Sequence, residues 1–168
     1  GRFGVDWEKG GRMLALNDPF PDFSLPDQDG NPRSLSGFSD RWLVVYFYPK
    51  DNTSACTLEA LDFSSRLSDF EQMDAAVVGV SPDSVKSHAN FQVKKELRVT
   101  LLSDPEHVLL TEAGVWQKKK LYGKEHMGVV RSTFLVDPAG TVREVWTNVK
   151  VPGHVEAVLE RLKALRKT

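Results

Sequence analysis

The sequence predicts an α/β layered domain built on a mainly parallel central sheet. Three features point to it. Apolar runs of strand length alternate with stretches of helical spacing, the pattern of βαβ units. One run, Trp42–Tyr48, is apolar on both faces and rich in aromatic and β-branched residues, so it belongs at the centre of a sheet. The last two strands are linked only by Asp137-Pro138-Ala139-Gly140, a connection so short that they must pair antiparallel.

The elements follow in order. Phe23–Leu35 holds the turn cluster Asp27-Gln28-Asp29-Gly30-Asn31 between apolar flanks and reads as an N-terminal hairpin. Pro49 ends the Trp42–Tyr48 strand. Helical spacing begins near Ala55 and sets Leu58, Leu61, Leu67 and Phe70 on one stripe. Ala76–Ser81 is a second buried strand. Ser81-Pro82-Asp83 offers a cap with proline at the first helical position, opening a helix to about Leu97. Val99–Leu102 is a short strand, and Glu106–Ala113 a short helix closed by Gly114. The stretch beyond it, with Trp116 and the basic run Lys118-Lys119-Lys120, reads as a solvated loop. Thr133–Val136 and Val142–Trp146 are the closing strands. Val155–Leu165 is an amphipathic helix whose basic end, Arg161–Lys167, suits the negative pole of its dipole. Residues 1–16 are expected to form a flexible tail, and 17–168 a single domain.

Composition narrows the function. A chain of 168 residues can bury a full core without metal or disulfide. Lys plus Arg is 22 against 23 for Asp plus Glu, which leaves no broad field for nucleic acid or an anionic membrane. No apolar run approaches the ~20 residues needed to cross a bilayer. The first residues carry no apolar targeting segment, so a cytoplasmic protein is the expectation. The single cysteine rules out an internal disulfide and a two-cysteine redox motif. His88, His107, His126 and His154 show no metal-ligand spacing, so neither metal nor cofactor is expected.

That cysteine, Cys56, follows a buried strand and a loop and stands at a predicted helix start. Free backbone N–H groups and the positive end of the dipole favour a thiolate there. Thr53, three residues earlier, is placed to cap the helix and aim a hydroxyl towards the sulfur; the simpler reading is a plain turn or cap residue.

The segment Tyr46-Phe47-Tyr48-Pro49-Lys50-Asp51-Asn52-Thr53-Ser54-Ala55-Cys56-Thr57-Leu58-Glu59-Ala60 carries the P-x-x-x-T-x-x-C pattern of the peroxiredoxin family, which the chain resembles. The lead-in and exit look like the bacterioferritin-comigratory (Q-type) class. A second match, Tyr122-Gly123-Lys124 with Met127–Asp137, lies downstream in the right order. The resemblance spans roughly 20–165. It implies a thioredoxin-like three-layer sandwich, with a mixed central sheet flanked by helices. It also implies a thiol peroxidase acting on hydrogen peroxide or alkyl hydroperoxides. Cys56 would be the peroxidatic nucleophile, Thr53 would bond the peroxide, and Pro49 would shape the pocket. Arg131 would stabilise the thiolate and polarise the peroxide. Glu59, one turn after Cys56, would pair with an arginine and orient it. Tyr48, Ser54, Ala55 and Trp116 are candidate pocket residues, Trp116 at the substrate entrance.

The chain departs from the family twice. Ser54-Ala55 stands where Pro-Gly is usual, which implies a wetter pocket and slower turnover. The usual positions of the resolving cysteine hold Leu61 and Gln92. A sulfenate on Cys56 therefore needs an external thiol: thioredoxin, glutaredoxin, a small thiol or a second copy. A monomer is expected, with a dimer as the alternative. Two other readings stay open at this point. One is a non-catalytic redox sensor or interaction protein on the same fold; the other is a binding domain with a passive cysteine.

Overall fold

The computed structural model describes residues 6–8 and 12–167. Its elements are β1 (Asp6–Glu8), β2 (Ser24–Pro26), β3 (Pro32–Ser34), a 3-10 turn (Leu35–Phe38), β4 (Trp42–Phe47), α1 (Ser54–Ser65), α2 (Leu67–Gln72), β5 (Ala75–Ser81), α3 (Val85–Lys95), β6 (Thr100–Ser103), α4 (Val108–Glu112), β7 (Trp116–Leu121), β8 (Lys124–Val129), β9 (Ser132–Val136), β10 (Val142–Thr147) and α5 (His154–Arg166).

The central sheet has the order β10-β9-β4-β5-β6. β4, β5 and β6 run parallel; β9 pairs antiparallel to β4 and β10 antiparallel to β9. The sheet is mixed, as the family resemblance implies. β4 is buried along its whole length and divides its side chains with a period of two. Val44, Tyr46 and Tyr48 face one apolar cluster, with Phe63 of α1, Phe70 of α2, Phe91 of α3 and Leu159 of α5. Leu43, Val45 and Phe47 face the other, with Leu109 of α4, Val129 of β8 and the N-terminal Phe20 and Phe23. Three layers result, and the strand that separates them leads straight to Cys56.

Several boundaries differ from the sequence reading, each for a local reason. The α1–α2 stretch buries only the second half of the predicted stripe: Phe70 is fully buried and Leu67 packs on the core, but Leu58 and Leu61 are 41% and 40% exposed. The buried face is Cys56, Glu59, Ala60 and Phe63, and the helix breaks at Arg66. Ser81 does not cap α3. Ser84 does, accepting from Ser87 N at 3.1 Å, while the Ser81 hydroxyl donates to Asp83 Oδ2 at 2.6 Å. The expected loop after Gly114 is a hairpin: Lys118-Lys119-Lys120 lies in β7, paired with β8 on one side and β1 on the other. Its turn runs through Tyr122 (φ 52°) and Gly123 (φ 78°), the left-handed pair that a tight hairpin needs.

Of the tail expected over 1–16, residues 1–5 and 9–11 lie outside the described residues. Where described, it is tied to the domain. β1 pairs with β7, Leu14 N donates to Ala113 O at 3.1 Å, and Arg12 and Met13 run so close to Gly114 that a Cβ there would strike their backbone.

Candidate active site

The antiparallel register of β4 and β9 sets Phe47 opposite Ser132. The chain leaving β4 towards α1 therefore lies beside the chain entering β9. Cys56, at the third position of α1, and Arg131, just before β9, meet across that junction. Arg131 Nη2 donates to Cys56 Sγ at 3.2 Å, and Arg131 Nη1 donates to Glu59 Oε1 at 2.6 Å. One planar guanidinium thus bridges the sulfur and a carboxylate one helical turn away, a geometry that a lysine could not reproduce. Cys56 is 1% exposed and Glu59 fully buried, while the Arg131 side chain keeps 14% exposure.

Burial drives the charges. It pushes the Glu59 carboxyl up to about 7, against the pull of Arg131. Burial also works against the Arg131 charge, but Glu59 and Cys56 outweigh it and hold the guanidinium charged beyond its ordinary range. His154, at the start of α5, bonds Thr133 Oγ1 through Nε2 at 2.8 Å. Burial, then the nearby Arg131, pushes it down to about 4, so it is neutral in the folded protein. Tyr46 stacks on Phe63 at 4.5 Å, its hydroxyl buried without a partner, like Glu59 Oε2. Burial, then the charge of Glu59, raises Tyr46 well above its ordinary value.

Thr53 is the N-cap residue of α1, yet its side chain makes no cap bond; its hydroxyl donates instead to Lys50 O at 2.8 Å. The hydroxyl proton is thereby engaged, while the oxygen lone pairs stay free to accept. Pro49, Ser54 and Ala55 lie exposed around it. Tyr48 is buried, and its hydroxyl donates to Asp51 Oδ1 at 2.6 Å. Trp116 does not join Cys56 in its apolar cluster. It packs on the face of the sheet opposite Cys56, stacked on His107 at 3.8 Å.

Asp51 is the residue that sequence reasoning passed over. It is held by Tyr48, Ser87 and His88, and its amide donates to Asp83. Donor atoms of Asp51, Asp83 and His88 lie within 4.8 Å of one another, the one such cluster among the described residues. Each is already bonded to protein partners, so the cluster fits a hydrogen-bond network better than a metal.

A buried cysteine bonded to a guanidinium at a helix start, on a mixed five-stranded sheet, defines a thiol-based redox enzyme. The AhpC/TSA family pattern matches residues 16–145. Peroxiredoxin Bcp of Bacillus subtilis is 45% identical over 150 residues, covering 89% of this chain and 96% of that one. Peroxiredoxin Bcp of Xanthomonas campestris is 45% identical over 152 residues, covering 89% and 95%. The crystal structure of a cysteine-to-serine mutant of Xylella fastidiosa PrxQ superposes with a TM-score of 0.88 at 40% identity, covering 93% and 99%. A Xanthomonas campestris bacterioferritin comigratory protein, described for its alkyl peroxide reduction activity, superposes at 0.82 with 44% identity, covering 84% and 90%. The chain belongs to the AhpC/TSA family, in its bacterioferritin-comigratory class of peroxiredoxins, and it is a thiol peroxidase.

Proposed function

We propose that the protein reduces hydrogen peroxide and alkyl hydroperoxides by a one-cysteine cycle at Cys56. The Arg131–Cys56 contact at 3.2 Å carries the reading. A guanidinium donating to sulfur favours the thiolate, and the same cation offsets charge that develops on oxygen. The thiolate sulfur attacks the terminal peroxide oxygen. An S–O bond forms, the O–O bond breaks, and sulfur is oxidised by two electrons. The alkoxide or hydroxide leaves beside Arg131 and takes up a proton. Thr53 Oγ1, with its own proton engaged, accepts a hydrogen bond from the incoming peroxide. Pro49, Ser54 and Ala55 border the approach. Glu59 holds the guanidinium in plane.

The product is a sulfenic acid with no partner thiol in the chain. An external thiol condenses with it, releasing water and leaving a mixed disulfide, and a second thiol frees Cys56. Thioredoxin, glutaredoxin and small thiols supply that chemistry. Such a cycle suits a reducing compartment such as the cytoplasm. One chain carries the whole centre, so a monomer suffices. The test is peroxide consumption with dithiothreitol as reductant. Multiple turnovers that vanish in Cys56→Ser are expected, with a sulfenate or a mixed adduct on Cys56 by mass spectrometry. Peroxide loss that persists in Cys56→Ser would overturn the reading.

A further inference from the structure

The loop from Pro49 to Thr53 is exposed at every residue except Asp51, which is 6% exposed. Its carboxylate turns inward onto three side chains from two elements. Tyr48 Oη donates to Oδ1 at 2.6 Å from the end of β4; Ser87 Oγ at 2.7 Å and His88 Nδ1 at 2.7 Å reach Oδ2 from α3. The Asp51 amide donates to Asp83 Oδ2 at 2.9 Å. Burial alone would raise this carboxyl, but the His88, Tyr48 and Ser87 contacts outweigh it and hold it below the ordinary range. His88 is fully buried, and its other ring nitrogen faces Leu102 O on β6 at 2.9 Å. Through this imidazole the loop is referenced to the far side of the sheet.

What the anchor controls lies on either side of it. Lys50 O, immediately before Asp51, accepts the Thr53 hydroxyl and so sets its rotation. Asn52, immediately after, has φ 64°, a left-handed conformation that asparagine adopts more readily than most residues and that turns the chain. Asp51 anchors the near side of that turn. We propose that His88 is a positioning residue for peroxide reduction: acting through Asp51, it sets the Pro49–Thr53 loop and the Thr53 oxygen that receives the peroxide. The proposal rests on the reading of Thr53 given above.

The experiment compares two rates at Cys56 in the full-length reduced protein. One is oxidation by hydrogen peroxide, which depends on the loop; the other is alkylation by iodoacetamide, which needs no peroxide alignment. In His88→Asn an amide can still donate from the Nδ1 position to Asp51. In His88→Gln the amide reaches towards Leu102 instead, and His88→Phe keeps only the ring. Loss of alignment in His88→Gln and His88→Phe is expected to slow oxidation by about tenfold, with alkylation within about twofold and most of the rate recovered in His88→Asn. Equal rates in the Asn and Gln variants, a parallel fall of oxidation and alkylation, or unchanged oxidation in all three would overturn the proposal. Should the His88 variants not fold, Ser87→Ala removes one Asp51 donor; it is expected to slow oxidation selectively by about threefold, and an unchanged rate overturns the proposal. Thr53→Val separates the two failures. An unchanged oxidation rate there defeats the Thr53 reading itself. A slow Thr53→Val beside unaffected His88 variants defeats the positioning role alone.

Discussion

Glu59 and Cys56, one turn apart on α1, share the guanidinium of Arg131. Two groups that can each carry a negative charge thus lean on one cation in a site from which water is nearly excluded. The proposed chemistry and the pH response of Glu59 follow from that arrangement.

Removing the cation tests it directly. In Arg131→Met the sulfur loses its donor and the leaving oxygen its counter-charge, so Cys56 oxidation should slow by about 10²–10³-fold. Arg131→Lys keeps a charge but cannot reach Sγ and Glu59 together, and should recover only part of the rate. Stopped-flow oxidation with hydrogen peroxide reads both variants, and a Lys variant at full speed would show that bridging does not matter.

Glu59 and His154 give opposite pH slopes to stability. Glu59 is raised from 4.5 to about 7, so its contribution is full below 4.5 and is lost as pH rises through 7. His154 is lowered from 6.5 to about 4, so its contribution is full above 6.5 and is lost as pH falls through 4. Each slope is at most about 1.4 kcal/mol per pH unit, and between 4.5 and 6.5 they oppose one another. Relative to the wild type, Glu59→Gln should lose stability on acidification through this window, and His154→Gln should gain it. Urea midpoints at half-unit pH steps measure the difference, and parallel curves for all three proteins would refute it.

Gly79 on β5 is required by Tyr46. A Cβ at Gly79 would lie 2.5 Å from Tyr46 Cζ and 2.7 Å from its hydroxyl oxygen. Tyr46 is fully buried and stacked on Phe63, so the ring has nowhere to retreat. Gly79→Ala should destabilise the domain by about 1–3 kcal/mol, the usual cost of overpacking a core. Because Phe63 shares α1 with Cys56, the oxidation rate should fall as well. A thermal melt and the peroxide assay on the same sample check both.

Ser54 is the first residue of α1, where the backbone N–H has no helical partner and proline fits. Ser54→Pro should stabilise the protein by about 0.4–1 kcal/mol by restricting the unfolded chain. It should also raise the peroxide rate by drying the approach to Cys56. A rate that falls would show that the Ser54 hydroxyl or amide serves the substrate.

The central strand and the chemistry of Cys56 were legible in the sequence for different reasons. Trp42–Phe47 announces itself because a strand buried on both faces leaves no polar position. The Cys56–Arg131 pair was visible only through the two motifs, since nothing local links residues 75 apart. The Asp51–His88 contact stayed hidden: Asp51 reads as a loop carboxylate and His88 as a lone helix histidine until the fold brings them together. The β7–β8 hairpin was missed because three lysines mask a strand and Tyr122-Gly123 is a weak turn signal. The α1 part of the stripe was misjudged because a glutamate one turn from a cysteine does not read as a buried face beside two leucines, although the buried face is theirs.

The pairing of β9 beside β4 also orders events in time. In synthesis from the N-terminus, Cys56 is made 75 residues before Arg131 and the strand that follows it. Until β9 emerges and docks on β4, Arg131 cannot take its place beside the Cys56 sulfur. If Cys56 and Arg131 act together as proposed, peroxide chemistry waits on the closing of the sheet.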